Sequence, residues 1–265
     1  AKGDFTFAGS NDLTLSTSVF GFNAATSNYV TRTVTVNAST LTLTSTAANT
    51  SITVAMAKGF IKRGAGTLVF AQNAATGPIR VEAGTMILGV GGPDGGVSNG
   101  LDIYIATGAA LKLNSYVYTT QKTAAGYGFG TNLPIPNLPI TGGGELWQLG
   151  SGSLVLTAAN TYSGGTFVKA GLLYLTEGND RLSTSGPISL LGGDLNLGGY
   201  SQSTSGTVTV SGVVNLLNGT LNLTSASSTL AAQSGNISAK LTGPFSISKT
   251  TSGELTMSGS NTYTG

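Results

Sequence analysis

Along much of the chain a small residue is followed by a variable residue, a large apolar residue, another variable residue and another large apolar residue. The pattern reads Gly3-Asp4-Phe5-Thr6-Phe7, Gly66-Thr67-Leu68-Val69-Phe70 and Gly84-Thr85-Met86-Ile87-Leu88. It returns as Gly152-Ser153-Leu154-Val155-Leu156, Gly171-Leu172-Leu173-Tyr174-Leu175, Gly193-Asp194-Leu195-Asn196-Leu197, Gly219-Thr220-Leu221-Asn222-Leu223 and Gly253-Glu254-Leu255-Thr256-Met257, with Ala109–Leu113 as a copy bearing Ala for Gly. Alternation with period two is the signature of a strand with one apolar face. The leading glycine suits a corner that needs positive φ or close backbone approach. Several neighbouring copies lie 18 to 26 residues apart (Gly66 to Gly84, Gly193 to Gly219). An antiparallel sandwich would place turns every 8–12 residues or so. A coil of about 20–25 residues carrying two or three short strands points instead to stacked parallel strands. The expected fold is all-β: one right-handed parallel β-helix (β-solenoid) of about 11–12 coils spanning residues 1–265, with Leu, Val, Ile and Phe inside.

Two stretches break the pattern. Residues 89–100 are glycine-rich, and residues 114–140 hold Tyr116, Tyr118, Tyr127, Phe129, Pro134, Pro136 and Pro139. Proline lacks the donor a central strand needs, so 114–140 is expected to leave the solenoid wall as an insertion. Its aromatic residues Tyr116, Tyr118, Tyr127 and Phe129 are the best binding candidates, because tyrosine suits wet carbohydrate or protein contacts. Trp147 is expected to pack against this insertion.

A longer unit overlies the short one. Residues 150–175 (GSGSLVLTAANTYSGGTFVKAGLLYL) align with 64–88, so that Gly77 matches Gly164, Val81 matches Val168 and Gly84 matches Gly171. A third copy starts at Ser252, and Lys2–Asn11 resembles its beginning. The string Gly-x-Gly-x-Leu-x-Leu, Asn-Thr-Tyr-x-Gly-Gly-Thr, Val-x-x-Gly-x-Leu-x-Leu resembles the passenger-associated transport repeat of bacterial autotransporters, with its best copy at Gly150–Leu175. The resemblance implies a β-helical passenger stalk that is extracellular or on the bacterial outer surface. Within the unit, Asn11, Asn73, Asn160 and Asn261, with Gly164 and Gly165, read as structural turn positions whose Asn side chains bond local backbone.

Composition narrows the chemistry. Charged residues make up 8% of the chain, whose 12 basic and 10 acidic residues give a net charge of +2, while 40% is hydrophobic. The regular apolar spacing argues against disorder. The Gly, Ser, Thr and Asn content argues against helices. No basic stripe supports nucleic-acid binding, and no apolar run is long enough for a membrane-spanning helix. The chain has no His and no Cys, which removes His-based triads, disulfides and the usual zinc or redox-metal sites. No cofactor or metal is implied. Glu177, Asp180 and Arg181 form the densest charged cluster, and the carboxylates Glu177, Asp180 and Asp194 are those that suggest acid–base chemistry on a polysaccharide. A solvated loop explains them better. The expectation is therefore a non-catalytic stalk, adhesin segment or fibre subunit. End-to-end self-association is expected from ends without a charged cap, along with a surface glycan or protein as ligand. The alternatives are a polysaccharide-active enzyme and a glycan-binding module on the same fold.

Overall fold

The computed structural model describes residues 4–17, 31–45, 60–71, 78–92, 102–116, 119–120 and 139–265. Their regular structure consists of strands of two to six residues, and the strands pair in parallel, each with the equivalent strand of the next coil. Eleven strands form one continuous long wall, from Leu13–Thr17 through Thr67–Phe70, Glu145–Gln148 and Ile188–Leu190 to Ser246–Ser248. Each contributes one rung, so the count falls within the 11–12 coils expected; at about 4.8 Å per rung the wall is about 50 Å long.

Among the described residues a seven-strand side wall follows the long wall from the coil of Ala110–Leu113 onward, running from Thr119–Thr120 through Ser153–Leu156 and Leu172–Leu175 to Leu255–Met257. A return wall closes the coil. It begins as six strands, from Phe5–Phe7 to Ile140–Thr141, and ends as four, from Ser201–Thr204 to Thr262–Tyr263. Two strandless rungs join these halves. Thr161 N and Ser163 N donate to the carbonyls of Ile140 and Gly142, and Ser205 N donates to Thr184 O.

Register explains the apolar pattern. Side chains alternate across a strand, so in-register parallel stacking collects every second residue into interior columns. One such column is Leu41–Leu68–Met86–Leu111–Leu146, and all five residues are buried. The glycine of the motif turns the corner. Gly171 has φ 67°, and a Cβ there would sit 2.1 Å from Gly152 O, so no other residue fits without moving the coil below.

The motif does not mark one wall. Leu68, Met86 and Leu111 lie on the long wall, Leu154, Leu173 and Leu195 on the side wall, and Leu221 on the return wall. The aligned Val81 and Val168 fall on the return and long walls respectively. What the long unit does specify is one full circuit: its first and last strands stack directly, as Leu68 on Met86 and Leu154 on Leu173. The change of wall falls across the 114–140 stretch. The described margins of that stretch still hold wall positions. Tyr116 N donates to Gly92 O and Gly152 N to Ser115 O, and Thr119–Thr120 pairs with Leu154–Val155.

Candidate functional site

The Asn-Thr-Tyr-Ser-Gly-Gly-Thr segment, residues 160–166, builds the strandless rung of the return wall. Asn160 is buried, and its side chain reaches beyond its own turn to the coils on either side. Its Oδ1 accepts from Ile140 N at 2.8 Å, one coil back, and its Nδ2 donates to Arg181 O at 2.6 Å, one coil on. The carboxamide thereby replaces the missing rung of the backbone ladder. Asn261 repeats half of this, accepting from Leu241 N at 2.9 Å. Gln202 continues the theme: its Oε1 accepts from Leu182 N at 2.8 Å and its Nε2 donates to Leu182 O and Ser203 O. Asn11 is exposed, at a corner between return-wall and long-wall strands. Its motif lies on a different wall, so the shared spacing does not give it the same surroundings. Asn73 lies outside the described residues.

Tyr162 fills the interior behind the same rung. It is fully buried, and its hydroxyl meets Thr166 Oγ1 at 2.5 Å. Burial pushes its phenol well above the usual tyrosine range, and the Thr166 contact opposes this only partly. Gly164 and Gly165 then carry the chain onto the long wall. A Cβ on Gly164 would come within 2.5 Å of the Gly144 carbonyl; Gly165 has φ 109° and abuts Pro187.

A feature absent from the sequence reading stands four residues before the motif glycine. Lys62 occupies an interior position between Val34 and Val81, and its Nζ donates to the carbonyls of Arg63, Gly64 and Ala83 at 2.9, 2.6 and 2.9 Å. Three donors thus meet three corner acceptors. Gln148 holds the corresponding place, donating to Gly150 O and Gly152 O, and Lys249 donates to Thr251 O. The signal was available: a polar residue at an inward position of an apolar alternation, at a fixed distance before Gly-x-Leu-x-Leu. Desolvation lowers Lys62 to about 8 from 10.5. Between those values the unfolded chain binds more protons, so stability rises with pH there and the burial penalty is fully present below pH 8. We predict that Lys62→Gln removes this rise while staying within about 1 kcal/mol at neutral pH. Lys62→Met should lose about 2 kcal/mol by stranding corner carbonyls. Denaturant titrations from pH 7 to 10.5 check both.

Two of the three carboxylates considered for acid–base work, Asp180 and Asp194, are occupied by the scaffold. Asp180 Oδ1 accepts from Ser203 N at 2.6 Å, and Asp194 Oδ1 accepts from Asn215 N at 2.7 Å. Arg181 donates to the carbonyls of Thr176 and Glu177. These bonds tie adjacent coils or close a loop, and they do not converge on a common substrate position.

Of the aromatic binding candidates, Tyr116 is described and is 52% exposed; Tyr118, Tyr127 and Phe129 lie outside the described residues. Trp147 packs within the outer face of the long wall. It stacks on Phe167 at 4.2 Å, with Lys112 Nζ 4.6 Å from its ring centre and its Nε1 donating to Glu145 Oε2 at 2.7 Å. Both ring faces are therefore covered by neighbouring coils.

The family model for the passenger-associated-transport-repeat matches residues 60–88, 148–175 and 247–265. The chain carries passenger-associated transport repeats. Each repeat spans its corner-capping side chain: Lys62, Gln148 or Lys249. The second also contains the Asn160–Tyr162 rung, and the third its counterpart, where Tyr263 packs 5.1 Å from Phe245. Over 146 residues, 54% of its length, the chain is 31% identical to the adhesin BmaC autotransporter of Brucella suis biovar 1 (strain 1330). It spans 4% of that relative's length. No solved structure matches the chain. With these repeats the chain is a passenger segment of the cell surface or extracellular space. No helix among the described residues is long and apolar enough to cross a membrane.

Proposed function

We propose that the chain is a non-catalytic, adhesive passenger segment, a stiff solenoid stalk that presents its 114–140 stretch to a surface glycan or protein. The observation that carries this reading is the uninterrupted eleven-strand long wall. It makes a continuous scaffold, and the exposed Tyr116 stands where the longest irregular sequence begins. Binding residues are commonly held on loops positioned by such rigid supports. Tyr118, Tyr127 and Phe129 complete the proposed contact surface. Asp180 and Asp194, already bonded to backbone, give a polysaccharide lyase or hydrolase little to work with.

The test is display of the chain on bacteria behind an outer-membrane β-barrel. It should be protease-accessible on intact cells and should confer adherence to cultured cells. Replacing residues 121–138 by a short Gly-Ser linker, which keeps the wall strand Thr119–Thr120, should abolish adherence while surface exposure and β-rich circular dichroism persist. Adherence that survives this replacement contradicts the assignment. End-to-end self-association is the finer part of the proposal. It is supported by the partly buried apolar residues Phe5, Phe7 and Leu15 on the first described rung and Ile247, Leu255 and Met257 on the last. Filaments seen by electron microscopy at high protein concentration would bear it out, and dispersed monomers would count against it.

A further inference from the structure

A second exposed surface lies where the side wall turns into the return wall. Three of the four non-glycine residues at positive φ among the described residues fall at this corner: Glu177 (66°), Asp180 (53°) and Asn218 (52°). Asp and Asn visit this left-handed region readily, so the corner is a preformed turn repeated on successive coils. The corner also gathers aromatic and amide side chains from successive coils. Tyr174 stacks in register with Asn196. Its Cε2 lies so close to the Gly198 backbone that a Cβ there would approach it to 3.3 Å. Two residues on, Tyr200 is 38% exposed, and beside it Gly199, at φ 86°, has no atom within 4 Å of where a Cβ would be.

The amides are held in place. Asn196 Oδ1 accepts from Gly198 N, and Asn179 Oδ1 accepts from Ser201 N, both at 2.9 Å, which leaves their Nδ2 groups as donors. Asn218 is exposed, and its carbonyl accepts from Gly199 N at 2.8 Å. The result is two phenol rings and three carboxamides on a shelf floored by glycine.

We infer that this corner is a binding site for a neutral polysaccharide, with Tyr174 and Tyr200 packing against sugar C–H faces and Asn179, Asn196 and Asn218 bonding hydroxyls. The chemistry selects this class. Aromatic rings with polar handles suit a ligand that is apolar on one face and wet at its edge, and carboxamides both donate and accept, as sugar hydroxyls require. The nearby Arg181 donates to the carbonyls of Thr176 and Glu177, and the carboxylates of Glu177 and Asp180 on the same corner outnumber it, which disfavours an acidic glycan. Its members are spread over three successive coils, with Tyr174 stacked on Asn196 and Asn196 on Leu217, which fits a chain running parallel to the solenoid axis. The site rests on the passenger reading only for where the glycan is met; it is separate from the 114–140 surface.

Affinity electrophoresis of the purified chain in native gels containing dextran, laminarin or galactomannan tests it. At least one polymer should retard the chain. Tyr200→Ala, an exposed change that should leave circular dichroism unaltered, should raise the apparent dissociation constant about tenfold, as should Tyr174→Ala. Tyr116→Ala should behave like the parent. No retardation by any of the three polymers overturns the proposal, as does retardation that Tyr200→Ala leaves intact. Either result stands apart from the display experiment, whose readout is adherence lost with residues 121–138.

Discussion

Tyr162→Ala is expected to cost about 3–5 kcal/mol, the range for emptying a large buried aromatic position. The site has little means of collapsing. The rung behind Tyr162 has no strand of its own, and its backbone is fixed by donation to Ile140 O and Gly142 O. Gly164 and Gly165 on its flank already touch the neighbouring coils. Tyr162→Phe separates volume from the hydroxyl. It should cost about 1–2 kcal/mol, because only the contact with Thr166 Oγ1 is lost. Solenoid stability is approximately a sum of coil and neighbour terms, so the alanine variant should loosen the middle of the rod first. Hydrogen exchange should show faster amides around Ile140, Val168 and Ile188 before the final coils change. A uniform loss along the whole chain would contradict this local assignment.

Asn160→Ala is expected to cost about 2–4 kcal/mol by leaving two backbone groups on two different coils, Ile140 N and Arg181 O, without their partner. Asn160→Asp is the sharper test. An aspartate still accepts from Ile140 N, but it has no donor for Arg181 O and sets a carboxylate oxygen against a carbonyl. It should therefore be no better than alanine at pH 7 and should recover as the pH falls and the carboxyl gains a proton. Urea titrations at pH 7 and pH 4, compared with the parent at each pH, give the answer. If Asn160→Asp matched the parent at pH 7, the bridge between coils would be refuted. A local turn asparagine would give that result, because aspartate serves turns as well as asparagine does.

The fold was legible because burial in a solenoid follows a local rule. Leu68, Met86, Leu154 and Leu173 declare their inward direction by alternation alone, and the 18 to 26 residue spacing reports the coil. The choice of wall was not legible. Gly-x-Leu-x-Leu encodes a corner and a strand, and either can serve any wall, so Val81 and Val168 align in sequence yet stand on different sheets. The role of Asn160 was hidden for a related reason. A turn asparagine and a bridging asparagine look alike until the coils above and below are in place, and here the partners lie 20 and 21 residues away. Lys62 and Gln148 could have been found, since each puts a polar side chain at an inward position. The shelf of Tyr174, Asn196 and Tyr200 could not, because its members meet only through the register of successive coils.

The central claim is that successive coils stack in parallel and in register, and the absence of cysteine makes it directly testable. Thr209 and Ala231 face each other on adjacent rungs of the outer long wall. Parallel neighbours about 4.8 Å apart lie within the Cα separation a disulfide tolerates. The variant Thr209→Cys with Ala231→Cys is predicted to oxidise almost completely to an intramolecular disulfide under mild conditions, as read by mass spectrometry under non-reducing conditions. Thr209→Cys with Leu230→Cys, one residue out of register and facing the core, should remain reduced. Efficient closure of the second pair, or failure of the first, would contradict the stacked parallel architecture.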